Sequence, residues 1–154
     1  MGPPPLIKLN DALAGVSSLG FDTSPLIYFV ERNPKYLDLV REVIRRVDRG
    51  DIEGRSSVVT LTEVLTKPKK LGDVTIETEY RSLLLSSRNF RLLPIDTDVA
   101  ESAANLRARF DIRTPDALQI AAALSVNCEA FITNDARLRR VTDLKILVLD
   151  QLEL

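Results

Sequence analysis

The chain has no histidine and a single cysteine. Without a second cysteine no disulfide can close within it, and a zinc site built from Cys and His ligands is excluded. The Ser-His and Cys-His pairs that activate covalent nucleophiles are missing for the same reason. No apolar run reaches the roughly 18 residues of a membrane span. MGPPPLIKLN lacks the basic start and long apolar centre of a signal peptide, so the expected location is the cytoplasm. Strong charge bias is also lacking: a formal net charge of −1 gives no global pull toward nucleic acid or membrane, yet leaves room for a local basic patch. There is no low-complexity tract and no internal repeat. Cys128, in SVNCEAF, reads as a small buried residue before a strand rather than as a nucleophile.

What is present is ordinary in bulk and informative in pattern. At 154 residues, with 45% hydrophobic and 28% charged residues, the chain is the size and composition of one soluble domain with a single substantial core. MGPPP reads as a proline-stiffened tail, disordered at its tip, and residues 9–16 as a short helix. SSLGF, RSSVV, FRLLPI, EAFIT and LKILVLD read as five short strands. Between them, apolar residues recur at helical spacing: TSPLIYFVER, capped by Thr23 or Ser24; YLDLVREVIRRV, closed by Gly50; and residues 75–87. TDVAESAANLRARF, TPDALQIAAALSV and DARLRRV follow. TLTEVLTK begins a further helix, which Pro68 is expected to break, leaving KPKKLGD as a basic loop. The alanines of TPDALQIAAALSV suit a helix that comes close to a sheet. Strands alternating with helices predict a parallel sheet covered on both faces.

Four acids stand where predicted strands give way to helices: Asp22 after VSSLGF, Glu63 after SSVVTLT, Asp116 in RTPDAL and Asp135 in FITND. Each has a structural explanation. Thr60 to Glu63 reads as a capping box, Thr114-Pro115-Asp116 as a cap with a first-turn proline and acid, Asn134 or Asp135 as a cap, and Asp22 as an Asx turn. Taken together they point elsewhere. Parallel strands put these ends on one edge, where open α/β sheets bind ligands. Gathered carboxylates repel, and hard divalent cations such as Mg²⁺ or Mn²⁺ relieve that repulsion. Two such ions about 3.5–4 Å apart can activate a water and stabilise the leaving oxygen of a phosphodiester.

FDTSPLIYFVE, SSVVTLTEVL, TPDALQIAAAL and FITNDARL resemble the four acidic motifs of the PIN-domain ribonucleases, and among them the VapC-type toxins of toxin–antitoxin pairs. The resemblance runs from about residue 18 to the C-terminus. It implies a three-layer α/β/α sandwich with a five-stranded parallel sheet in the order 3-2-1-4-5. Its switch point would lie between Asp22 and Asp135. It also implies metal-dependent endonucleolytic hydrolysis of RNA with Mg²⁺ or Mn²⁺ as cofactor. Asp22, Glu63, Asp116 and Asp135 carry over as the catalytic metal ligands, with Thr133 and Asn134 as supports behind them. Relatives of this type dimerise and are silenced by a small antitoxin whose C-terminal segment covers the active site. About twenty residues precede the first acid here, more than the few usual in the family. Residues 1–16 are therefore read as an N-terminal extension and 17–154 as the nuclease domain.

An RNA substrate needs cations beyond the metal site. Lys67, Lys69 and Lys70 follow Glu63, and Arg137, Arg139 and Arg140 follow Asp135; each group is read as a candidate RNA contact or as a solvated face. Arg41, Arg45, Arg46 and Arg49 read as the outer face of an amphipathic helix. Tyr28, Phe29, Phe90 and Phe131 read as core, with no platform for stacking bases. Two other readings remain open. One is a catalytically silent PIN-like module that binds nucleic acid or protein, its acids serving as caps. The other is a phosphatase or receiver-like domain using Asp96 or Asp98. Lys145 is then the only downstream lysine and no acidic pair accompanies it. Asp98 otherwise starts a helix at the rim of the acidic pocket.

Overall fold

Short, largely buried runs form the strands, and the helices between them return the chain to the same edge each time. The structure, a computed structural model, describes residue 2 and residues 4–154; Met1 and Pro3, and with them the tip of the expected tail, lie outside the described residues. In chain order the elements are β1 (Ile7–Lys8), α1 (Leu9–Ala12), β2 (Ser18–Phe21), α2 (Thr23–Val30), α3 (Leu37–Asp48), β3 (Glu53–Ser57) and α4 (Val58–Leu71). Then follow α5 (Val74–Ser86), β4 (Phe90–Leu93), α6 (Thr97–Phe110), α7 (Thr114–Ser125), β5 (Ala130–Thr133), β6 (Lys145–Val148) and β7 (Leu152–Glu153). A 3₁₀ turn, Ala136–Arg140, stands where DARLRRV was read as a short helix.

Strands β2 to β6 pair in parallel in the order β4-β3-β2-β5-β6. Counted among themselves that is 3-2-1-4-5, the order implied by the family resemblance. β1 and β7 make a separate parallel pair, Ile7 opposite Leu152 and Lys8 opposite Glu153. The first helix is shorter than the predicted 9–16, but its Leu9 and Ala12, with Leu13, belong to the core. Among the described residues no helix is long and apolar enough to cross a membrane.

Alternation along the strands builds one core on each face. Leu19, Phe21, Ala130, Ile132 and Leu147 pack with Val43 and Val47 of α3 and Tyr80 and Leu84 of α5. Phe131 points the other way, toward Leu106 of α6 and Ile120 and Ala121 of α7. Gly20 lies beneath α7, and a Cβ there would meet Ala123 Cβ and Phe131 Cδ1 at 2.9 Å. The glycine and the alanines opposite it set the helix-to-sheet spacing, which the alanine-rich sequence led one to expect. Cys128 is buried, and burial pushes its thiol up to about 11, as fits an inert packing residue.

Several local expectations are corrected. β3 ends at Ser57, two residues before the end of RSSVV, and Ser57 caps α4 by accepting a hydrogen bond from Val59 N–H. Thr60 and Glu63 consequently lie inside the helix and do not form a capping box. Pro68 does not break α4, because it sits on the buried face with Val64 and Leu65, where packing offsets the lost backbone hydrogen bond. The helix ends at Gly72, whose φ of 65° suits a left-handed cap, so Lys67, Lys69 and Lys70 are helical. Asp22, not Thr23 or Ser24, caps α2, and α7 begins after Arg113 with no side-chain cap from Thr114. Arg46 is not a solvated residue of the outer face: it pairs with Glu42 at 3.2 Å and with Asn10, and its side chain is only 19% exposed. Phe131 is core, whereas Tyr28, Phe29 and Phe90 are half-buried.

Candidate active site

The edge formed by the C-terminal ends of β2, β3 and β5 carries a cleft. Asp22 leaves the end of β2, and its N–H extends the ladder by donating to Ile132 O of β5 at 2.9 Å. Its Oδ1 accepts from Thr23 N–H at 2.8 Å and its Oδ2 from Thr133 Oγ1 at 2.7 Å. Glu63 lies on α4, a turn and a half in, and its Oε1 accepts from Thr23 Oγ1 at 2.7 Å. Asp116 lies in the first turn of α7 and is buried, with Arg113 Nε donating to it at 3.2 Å. Asp135 caps the 3₁₀ turn through Arg137 N–H, and the Arg137 guanidinium grips both its oxygens at 3.0 and 2.8 Å.

All four acids line one cavity of about 290 Å³, together with Thr23, Tyr28, Arg113 and Asn134. Among the described residues no three metal-ligating side chains are gathered closely enough to form a ready cage. The carboxylates share a cleft without sharing one point. Their electrostatics differ accordingly. Burial pushes Asp22 from 3.8 up to about 6, against the pull of hydrogen bonds from Thr133 and Thr23, and the charges of Asp116 and Glu63 add to the rise. Hydrogen bonding to Arg137 holds Asp135 below the ordinary carboxylate range.

Thr133, fully buried, donates to Asp22 and accepts from Asp135 N–H at 3.0 Å, and so joins the two acids across the switch point. Asn134 does not touch the acids. It accepts from Asp150 N–H at 3.0 Å and donates to Tyr28 OH at 3.2 Å. Arg113, Arg137 and Arg140 line an adjoining cavity of about 230 Å³ with Asp111, Asp116 and Asp135. Lys67, Lys69 and Lys70 line neither cavity, and Lys69 is paired with Glu77 of α5 at 2.9 Å. Arg139 is exposed. Asp96 caps α6, and Asp98 lines a different cavity beside Arg91 and Val99 rather than the rim of this one.

Three features were not read from the sequence. Arg113 is one: from the N-cap position of α7 it reaches Asp116, three residues on in the first turn, at 3.2 Å, and the i,i+3 spacing of opposite charges is its signal in the sequence. The rings of Tyr28 and Tyr36 stack nearly parallel, centroids 4.5 Å apart, and Tyr28 lines the cleft. Finally, Gln119 is buried in an otherwise apolar stretch of α7, one turn below Asp116, and bonds to Ser57, Thr60 and Thr23. A lone amide within LQIAAAL was its only signal.

A family model described as PIN domain matches residues 21–144. Among solved structures, the chain is similar to a chain of a toxin–antitoxin complex from Klebsiella pneumoniae, with 26% identity and a TM-score of 0.64 over 86% of this chain and 98% of that one. It is similar also to a chain of DNA-bound VapBC from Salmonella typhimurium, at 17% identity, TM-score 0.64, and 87% and 98% coverage. A chain of VapBC-1 from nontypeable Haemophilus influenzae matches at 20% identity, TM-score 0.60, and 86% and 98% coverage. No curated protein matches.

Proposed function

Because this chain belongs to the PIN-domain family, we propose that it is a divalent-metal-dependent endoribonuclease and the toxin of a toxin–antitoxin pair. What carries this reading is the convergence of four carboxylates, from four separate segments, in one cleft at the switch point of a parallel sheet. The donor set is all oxygen, which suits Mg²⁺ or Mn²⁺. Guanidinium groups face Asp116 and Asp135, whereas Asp22 and Glu63 are held by hydroxyl and amide donors. Burial, with a smaller addition from the charges of Asp116 and Glu63, disfavours the ionised form of Asp22, and a cation in the cleft would favour it. Asp22, Glu63, Asp116 and Asp135 would hold the ion, with Thr133 as the support behind Asp22 and Asp135; Asn134, turned to Tyr28 and Asp150, would act only through Tyr28 at the cleft wall.

An ion held there would supply an activated water and neutralise charge on the phosphodiester. The chain's own residues do the rest. Water adds to phosphorus as the bond to the leaving ribose oxygen breaks; a cleft carboxylate takes the proton that water releases, and the departing oxygen leaves with the bond's electron pair and takes a proton from solvent to become a hydroxyl. Thr133 keeps the two switch-point acids at a constant spacing. Arg113, Arg137 and Arg140 offer positive charge to the phosphates beside the scissile bond, with Arg139 and Lys67, Lys69 and Lys70 farther out. The likeness to a chain of a toxin–antitoxin complex supports a small protein antitoxin as partner. A homodimer in the cytoplasm, with residues 1–16 as an extension of the 17–154 nuclease domain, completes the proposal.

Purified protein incubated with RNA and Mn²⁺ is expected to cut it, and Asp22→Asn and Asp116→Asn are expected to lose at least about 100-fold in rate. Equal cutting by either variant would remove the assignment. A catalytically silent binding module is the second reading. The Arg137 clamp on Asp135 and the lack of a ready cage among the described residues favour it. Titration calorimetry separates the two: saturable Mn²⁺ binding that disappears in Asp135→Asn speaks for the nuclease.

A further inference from the structure

Gln119 has no place in the apolar face of α7 unless its amide does something there. It is 3% exposed, Thr60 0%, Ser57 1%, and among the described residues no buried side-chain polar atom lacks a partner. The hydrogens can therefore be counted. Ser57 Oγ accepts from Val59 N–H and donates its own hydroxyl hydrogen to Gln119 Oε1, 2.5 Å away. Both amide hydrogens of Gln119 then point at hydroxyl oxygens, Thr60 Oγ1 at 2.6 Å and Thr23 Oγ1 at 3.0 Å. Thr23 thus already accepts from Gln119. Its single hydrogen is free to go to Glu63 Oε1, 2.7 Å distant. Ser56 Oγ donates to Thr60 Oγ1 at 2.9 Å and lies 3.0 Å from Phe21 O, which leaves the Thr60 hydrogen for Thr23 Oγ1, 3.1 Å away.

Turning the amide over would invert this order. Thr60 would donate to the Gln119 oxygen, and Thr23 would have one hydrogen for two oxygens, Gln119 Oε1 at 3.0 Å and Glu63 Oε1 at 2.7 Å, so one of those pairs would have no hydrogen between them. Only the first arrangement lets Thr23 accept from Gln119 and keep its hydrogen for Glu63 Oε1. We infer that Gln119 is a positioning residue: its amide sets the direction of a buried relay, Ser57 to Gln119 to Thr23, that aims the Glu63 carboxylate into the cleft and keeps it an acceptor. Loss of a group that orients a metal ligand through one hydrogen-bonded intermediate commonly weakens metal binding by about 10-fold or more. The consequence for metal rests on the divalent-site reading above; the relay itself does not.

Two measurements keep them apart. In metal-free protein labelled with ¹³C-glutamate, the Glu63 Cδ resonance is assigned by its loss in Glu63→Gln. Gln119→Leu and Thr23→Val are expected to shift or broaden that resonance, and Thr23→Ser, which keeps the hydroxyl, to restore it. An unmoved resonance in Gln119→Leu overturns the relay, whatever Thr23→Val does, because Thr23 touches Glu63 directly. Gln119→Met, of similar length, takes the place of Gln119→Leu if that variant fails to fold. Mn²⁺ calorimetry on the full chain follows. Gln119→Leu and Thr23→Val should each lower affinity about tenfold, and the double variant no further, because both cut one chain of bonds. Lower melting temperature with Mn²⁺ affinity within twofold of wild type would make Gln119 a packing residue only. If wild type binds no Mn²⁺, the metal reading fails, and the Glu63 resonance still decides the relay.

Discussion

Asp22 takes its place at the end of β2 at an electrostatic cost. Its folded pKa, about 6, lies above the ordinary 3.8, so the native state binds the proton more tightly than the unfolded chain. The sign follows: this residue's relative contribution is most favourable below pH 3.8 and is lost as pH rises through about 6. Asp22→Asn should stabilise the metal-free protein at pH 7.5 by about 2 kcal/mol, and by far less at pH 4. Chemical denaturation at the two pH values measures this, and a variant less stable than wild type at pH 7.5 would contradict it. Asp135 behaves oppositely, because Arg137 lowers it. Removing the guanidinium in Arg137→Ala should return the Asp135 carboxyl toward its ordinary range, as read by ¹³C NMR titration.

Among the elements, α7 connects core and cleft. Its N-terminal turn presents Asp116, the next turn presents Gln119, and the alanines beyond lie against β2. Close packing there leaves no room for a methyl group at residue 20. Gly20→Ala is expected to destabilise the fold by about 1–3 kcal/mol, through the 2.9 Å approaches to Ala123 and Phe131. Restoration by shrinking the neighbour, in Gly20→Ala with Ala123→Gly, would show that spacing and not backbone freedom is responsible. Helix α4 shows how packing overrides a local rule. Proline at residue 68 reads as a breaker, yet its ring lies buried beside Val64 and Leu65, and the helix continues to Leu71.

For the whole molecule, a net charge of −1 means that any affinity for RNA has to come from where the cations sit. Arg113, Arg137 and Arg140 sit together beside the acids, while Lys69 is engaged with Glu77. Arg140→Ala should therefore flatten the dependence of log K on log salt for single-stranded RNA by roughly 0.7, and Lys69→Ala by much less. Filter binding at several salt concentrations in EDTA measures both slopes without cleavage. Equal effects from the two substitutions would show that positive charge acts diffusely rather than at the cleft.

Periodicity and strand–helix alternation made the parallel five-stranded sheet, its layers and most helix spans legible in advance, because those signals are local and repeat every two or every three to four residues. The positions of Asp22, Glu63, Asp116 and Asp135 after strands were legible for the same reason, since parallel strands end on one edge. What local pattern left open was which partner each side chain meets. Arg137 on Asp135 and the Tyr28–Tyr36 stack join near neighbours in the chain, but Thr133 between two acids and the Gln119 relay join residues up to 111 positions apart, and those contacts exist only once the strands have taken their order. Sequence alone determined that acids would arrive at one edge. Tertiary packing decided how far apart they stand there and which donors hold them, because both follow from where α4, α7 and the Thr133–Arg137 segment come to rest against the sheet.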